Sequence, residues 1–273
     1  MKLASLPHGR DGRLVIVSRD LTRATDAFPV VPTLQAALDH WVRIAPRLAD
    51  LAEGLEHGAV PSFRFHEHDC AAPLPRAYRR LVTAGEGPLA EAPGDVSVGP
   101  REAARLAGEE GSGCAAGLAL ITDAVPASAD AAEAFGAVRL LMLTCHVNQM
   151  NQDASPAGQA AGMIRAPAPM TLSPVAVTPD ELGSAWVDGG PDLPLHRLLN
   201  GALTPIPLPL AIGPLLARAA SARALSAGTV VEILPAAPMP SALRFGDTVR
   251  VEMKDGAGHS IFGAIEQEIL PLA

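Results

Sequence analysis

Aromatic residues are scarce, at 3% of 273 residues, and comprise Trp41, Trp186, Tyr78 and six Phe. So few rings leave no stacking platform for bases. The formal net charge of −8 leaves no basic face for phosphates. Both shortages argue against nucleic acid as the main partner. Cysteine is scarcer still: three residues, an odd count, make no disulfide framework and fit a reducing compartment. Long apolar runs are missing too. Leu203–Leu216, LTPIPLPLAIGPLL, is broken by prolines and falls below the ~20 residues of a membrane span. The opening MKLASLPHGRDGRLVIVS meets charge before any apolar core and does not read as a secretory signal. The expectation is a cytoplasmic protein with no membrane and no nucleic-acid partner.

The chain is rich in small and turn-forming residues. It has 48% hydrophobic content together with 25 Gly and 26 Pro, which predicts an Ala/Leu/Val core and much loop. Leu3–Leu6 and Arg13–Ser18 read as a hairpin around His8–Gly12. Thr33 reads as an N-cap, and Leu34–His57 has helical spacing, with Pro46 expected to divide two helices. Residues 71–112 lack periodicity and read as a long loop with a short helix at Arg101–Ala107. Strands are predicted at Ala116–Val125, Val138–Leu143 and Pro174–Thr178, with a helix capped by Ser128 between the first two. Residues 144–172 form a second Pro/Gly/Gln/Asn-rich stretch. Leu195–Leu199 and Leu203 flank Asn200-Gly201, the strongest hairpin turn in the chain. A helix over Ile212–Ser221 follows, then strands at Thr229–Leu234, Arg244–Gly246, Thr248–Lys254 and Ser260–Glu268, turned at Asp255–Gly258.

Few residues suggest chemistry. His66-Glu67-His68-Asp69-Cys70 would put His66, His68 and Cys70 on one side of a strand, yet it lacks zinc-site spacing and reads as structural. Cys145-His146 ends a buried strand, but neighbouring strand residues face opposite ways, which disfavours a Cys–His dyad. Cys114 with His146 is a conceivable soft-metal pair. Asn148, Gln149, Asn151, Gln152 and Asp153 form an amide cluster able to bond a ligand carbonyl, and Arg165 stands alone in an apolar stretch where it could clamp a carboxylate. No GxSxG, HExxH, GxGxxG or phosphate loop is present.

Several stretches, in order, resemble the fumarylacetoacetate hydrolase family. They are KLASLPHGRDGRLVIVSRDLTRATDA, FHEHDCAAPLPRAY at 65–78, LALITDAVP at 118–126, RLLML at 139–143, LSPVAVTPDELG at 172–183, LNG at 199–201 and LRFGDTVRVEMKDGAGHSIFGAIEQ at 243–267. The resemblance implies an α+β fold: a small N-terminal β-hairpin/helix cap domain, 1–70, and a shortened hydrolase-like domain, 71–273, built on a mixed, rolled β-sheet. It implies a homodimer. It also implies carbon–carbon bond hydrolysis of diketo acids by a carboxylate-held divalent metal and a His–Glu pair that activates water. The matching positions do not carry that set. PRAY is followed by Arg79, Arg80 and Leu81, and no histidine occurs between His68 and His146. The Glu-x-Glu positions hold Ala115 and Gly117, the Asn-Asp pair is Cys145-His146, the arginine falls on Met150 and the lysine on Pro167. The Gly-Thr-Val-Ser-Asn loop is replaced by Gly228-Thr229-Val230-Val231-Glu232.

The sequence therefore points to a retained scaffold whose metal-dependent site has been lost, with no metal and no cofactor. The expected pocket is lined by Cys114, Ala115, Gly117, Cys145, Asn148, Met150 and Arg165, with His146 as the catalytic acid–base group. Its ligand would be a small oxo, β-dicarbonyl or polyketide-like molecule undergoing cyclisation, isomerisation or decarboxylation. Two alternatives stand beside this: a non-catalytic dimeric partner or stabiliser, and residual diketo-acid hydrolysis with soft ligands. The roles of the loops 79–113 and 150–171 are left open.

Overall fold

A computed structural model describes residues 1–92, 97–149, 170–187, 189–208, 211–235, 239–240 and 243–272. Met150 and Arg165 lie outside the described residues, as does Pro167, and at Asn148 only the backbone is described.

The architecture is α+β, dominated by sheet. Among the described residues thirteen strands join in one mixed sheet. Its main path runs Phe63–Arg64, Arg23–Asp26, Arg13–Val17, Lys2–Leu6, Ala176–Val177, Val138–Gln149, Ser112–Thr122, Thr229–Leu234, Arg79–Ala84, Ala90–Ala92. A second sheet orders Ala202–Ile206, Leu195–Leu199, Thr248–Lys254, Ser260–Pro271 and Ala104–Leu106. The N-terminal hairpin extends the large sheet, with Lys2 opposite Val177.

The central strand 138–149 shows why an apolar run becomes a strand buried on both faces. Leu141 and Leu143 pack toward the second sheet with Val249, Val251, Met253, Phe262 and Ile265. Leu140 and Met142 pack the other way, with Leu14, Ile16 and the helix Trp41–Glu56 through Ile44, Leu48 and Leu55. All these residues are at most 5% exposed, so burial on both sides holds the strand.

Local chemistry sets several boundaries. The Thr33 hydroxyl accepts from Ala36 N at 3.1 Å and caps the helix Leu34–Leu38. Pro46 does not divide two helices; it lies within Trp41–Glu56, and the break falls at Asp39–His40. The ring deletes only the bond to the Val42 carbonyl, in a first turn where Val42 is 80% exposed and water is at hand. The short helix Ala131–Gly136 starts two residues later than Ser128 predicts, because Asp130 and Glu133 form a reciprocal capping box. Asn200 (φ 49°) and Gly201 (φ 82°) make the hairpin turn that their pairing predicts.

Other expectations change. The stretch 71–112 is not a structureless loop: Arg79–Ala84 pairs in parallel with Thr229–Leu234, and Ala104–Leu106 is a strand rather than a helix, parallel to Ser260–Pro271. Long-range pairing supplies order that local periodicity does not show. His66–Cys70 is no strand but a 3-10 turn over Glu67–Asp69, with His66 and His68 exposed. Phe245 and Gly246 form a turn closed by Asp247 instead of extending a strand.

Candidate functional site

Four neighbouring strands of the large sheet build the site: Arg79–Ala84, Thr229–Leu234, Ser112–Thr122 and Val138–Gln149. Paired residues on adjacent strands face the same way. Arg80 lies opposite Val230, Glu232 opposite Ala119, Gly117 opposite Thr144, and Ala115 opposite His146. One face of the sheet thus carries Arg80, Glu232, Thr144 and His146. Where it passes between Glu232 and His146, the intervening strand presents Ala115, Gly117 and Ala119 on that face. Their small size lets the Glu232 side chain cross over it. Gly117 is required outright, since a Cβ there would sit 2.2 Å from the Ile233 carbonyl oxygen.

The Glu232 carboxylate is fully buried and accepts three hydrogen bonds. Its Oε1 accepts from the Thr144 hydroxyl at 2.6 Å and from His146 Nε2 at 2.5 Å; its Oε2 accepts from Arg80 Nη2 at 2.6 Å. Arg80 and His146 are themselves buried, 6% and 4% exposed. Burial alone would push the Glu232 carboxyl up, but His146, Arg80 and Thr144 outweigh it and hold it at about 2. Arg80 Nη2 also lies 3.2 Å from His146 Nε2. A guanidinium only donates, and Nε2 facing a carboxylate at hydrogen-bond distance carries its proton, so both donors converge on Glu232. This places a proton on Nε2 and leaves Nδ1 as the ring nitrogen not directed at Glu232.

The opposite face holds Cys114 and Cys145 among Ala116, Leu118 and Val147. The sheet therefore divides the residues expected to line one pocket. Ala115, Gly117 and His146 lie on one face, and Cys114 and Cys145 on the other, so the Cys114–His146 metal pair does not form. At Gly117 the space is taken by the Ile233 backbone. The partners Arg80, Glu232 and Thr144 did not emerge from the sequence as site residues. The available signal was a charge inside an otherwise apolar strand, as in TVVEIL and RRLVTA. Arg197 is a further case: it is 5% exposed, and its Nε and Nη1 have no hydrogen-bond partner among the described residues.

Residues 1–76 match the model of the "Fumarylacetoacetase N-terminal domain 2". Maleylpyruvate hydrolase from Sphingobium sp. SYK-6, solved with manganese(II) and pyruvate, superposes with a TM-score of 0.73 at 16% identity over 100% of both chains. Residues 1–76 carry that N-terminal domain, and the whole chain shares the fold of this hydrolase. Two isomerase structures share that fold. The 5-carboxymethyl-2-hydroxymuconate delta-isomerase of Mycobacterium smegmatis matches at TM-score 0.66 and 15% identity over 100% of both chains. The 2-hydroxyhepta-2,4-diene-1,7-dioate isomerase of Mycobacterium marinum matches at 0.64 and 16%, over 99% of this chain and 98% of that one. No curated protein matches the sequence. No helix among the described residues is long and apolar enough to cross a membrane.

The donor set tests whether this fumarylacetoacetate hydrolase fold still suits a divalent metal. Among the described residues no group of three or more His, Cys, Asp or Glu is placed to hold one. Glu232 is the one carboxylate of the cluster, and its second oxygen is held by a guanidinium. A hard cation needs several oxygen ligands and would be repelled by Arg80. The described residues around Glu232 do not fit the metal.

Proposed function

We propose that this protein is a repurposed fumarylacetoacetate hydrolase-like chain that binds a small oxo or β-dicarbonyl compound and moves a proton on it without a metal. The hydrolase site implied by the resemblance is read as lost. His146 is the acid–base group. Its pairing with Glu232 carries this reading, because a carboxylate on Nε2–H turns Nδ1 into the base and stabilises the imidazolium formed when it takes a proton. A carbon flanked by two carbonyls loses a proton readily, and its return at oxygen or at another carbon is an isomerisation. Ring closure or loss of carbon dioxide can follow from the same enolate. Two structural neighbours carry isomerase names, which agrees with such chemistry. A homodimer in the cytoplasm is part of this reading.

The near-complete burial of the cluster supports a second reading, a non-catalytic partner in which Arg80, Glu232 and His146 serve stability alone. Deuterium uptake at the central carbon of acetylpyruvate, followed by NMR with EDTA present, separates the two. The first reading expects exchange above background that falls at least tenfold in His146→Ala. Exchange that requires added manganese, or that survives His146→Ala, overturns it. Absence of any catalysed exchange or binding with this probe and related β-dicarbonyls favours the second.

A further inference from the structure

Cys114 and Cys145 meet on the face of the sheet that points away from His146. Cys145 lies opposite Ala116 and Cys114 opposite Val147, so the two are diagonal neighbours on adjacent antiparallel strands. Their sulfurs are 3.2 Å apart, inside the ≈3.5–4.0 Å of ordinary non-bonded packing between carbons. Both are buried and free of disulfides. The Cys114 sulfur and burial hold the Cys145 thiol up, while Arg197 acts on it in the opposite sense. That arginine is buried, with Nε and Nη1 unpartnered among the described residues. The third cysteine, Cys70, is spent elsewhere, with its sulfur 3.7 Å from the His66 carbonyl oxygen.

We propose that Cys114 and Cys145 form a redox dithiol that closes to a disulfide on exposure to a peroxide. One of the two sulfurs attacks a peroxide oxygen as its thiol gives up its proton, the O–O bond breaks, and the departing hydroxide takes that proton and leaves as water. The other sulfur then displaces the sulfenic oxygen, which leaves as a second water with the second thiol's proton. Two thiols are oxidised to one disulfide and one hydrogen peroxide is reduced to two waters. The sulfurs must close from 3.2 Å to ~2.05 Å, drawing the two strands together at a diagonal. Cys145 immediately precedes His146, so the same movement shifts His146 relative to Glu232.

The test treats the reduced full-length protein with hydrogen peroxide, quenches, denatures and alkylates, then reads intact mass and peptide map. The expected result is loss of two hydrogens and one alkylated thiol, Cys70, against three in the untreated control, with full reversal by dithiothreitol. Cys70→Ser should leave bond formation intact, and Cys114→Ser should abolish it. Three alkylatable thiols after peroxide, a bond that includes Cys70, or a sulfinic acid on Cys145 with Cys114 still alkylatable would each overturn the proposal. Should Cys114→Ser fail to fold, the maps of the natural protein and of Cys70→Ser carry the test.

Discussion

Replacing Glu232 by Gln should destabilise the protein at neutral pH by about 3 kcal/mol. The carboxyl sits at about 2 against an ordinary 4.5. At 1.36 kcal/mol per unit that difference is about 3 kcal/mol. Removing one member of a buried ion pair costs about 3–5 kcal/mol, which agrees. The geometry explains the cost. A glutamine can keep its oxygen toward Thr144 and His146, but its NH₂ then faces the Arg80 guanidinium, donor against donor, and leaves a buried positive charge uncompensated. Thermal unfolding is the assay, and 3 kcal/mol in a chain of this size lowers Tm by roughly 5–10 °C. The pH dependence adds a second handle. Because the folded value is depressed, the stabilisation is present above about 4.5 and is lost as pH falls toward 2. The gap in Tm between the natural protein and the variant should shrink over that window. A gap below about 2 °C at pH 7, or one that stays constant down to pH 2.5, would refute the reasoning.

Other perturbations probe the same frame. Arg80→Met should raise the Glu232 carboxyl, moving the acid limb of a stability-against-pH curve upward, as urea unfolding at several pH values would show. Gly117→Ala should be severely destabilising, by about 3 kcal/mol or more, because the new methyl meets a backbone oxygen at 2.2 Å that cannot swing aside; soluble yield and Tm report it. Gly213→Ala should act similarly through the helix Ile212–Ala222, where a Cβ meets the Ala131 carbonyl oxygen at 2.4 Å. Asp130→Ala removes the capping box and should cost about 1 kcal/mol in urea unfolding.

The elements that the sequence displays are those whose causes are local. The Asn200-Gly201 turn, the Thr33 cap and the apolar strand 138–143 each carry their reason within a few residues. Arg79–Ala84 was hidden because its order comes from parallel pairing with a strand 150 positions on, Thr229 with Arg79. The site was hidden for the same reason and one more. Arg80 and Glu232 are 152 positions apart, His146 and Glu232 are 86 apart, and a charge within an apolar strand gives no hint of its partner. His146 was legible because it follows the apolar run 138–143 in the sequence. The separation of Cys145 from His146 followed from strand alternation alone.

The cluster also bears on what chemistry remains. In the resemblance, a metal both neutralises carboxylates and polarises the ketone. Arg80 performs only the first of these tasks: it neutralises Glu232 through one nitrogen at 2.6 Å. A guanidinium has no open coordination position, so it neither binds a carbonyl as a Lewis acid nor brings water's pKa near neutrality. On the proposed reading this set does not generate hydroxide for carbon–carbon hydrolysis, whereas an imidazole whose other nitrogen rests on a carboxylate lifts a proton. Charge compensation from within the chain favours the isomerase-type reading over residual hydrolysis. The Arg80→Met variant separates the two tasks, since restoring hydrolysis with manganese in that variant would show that the arginine had merely displaced the metal.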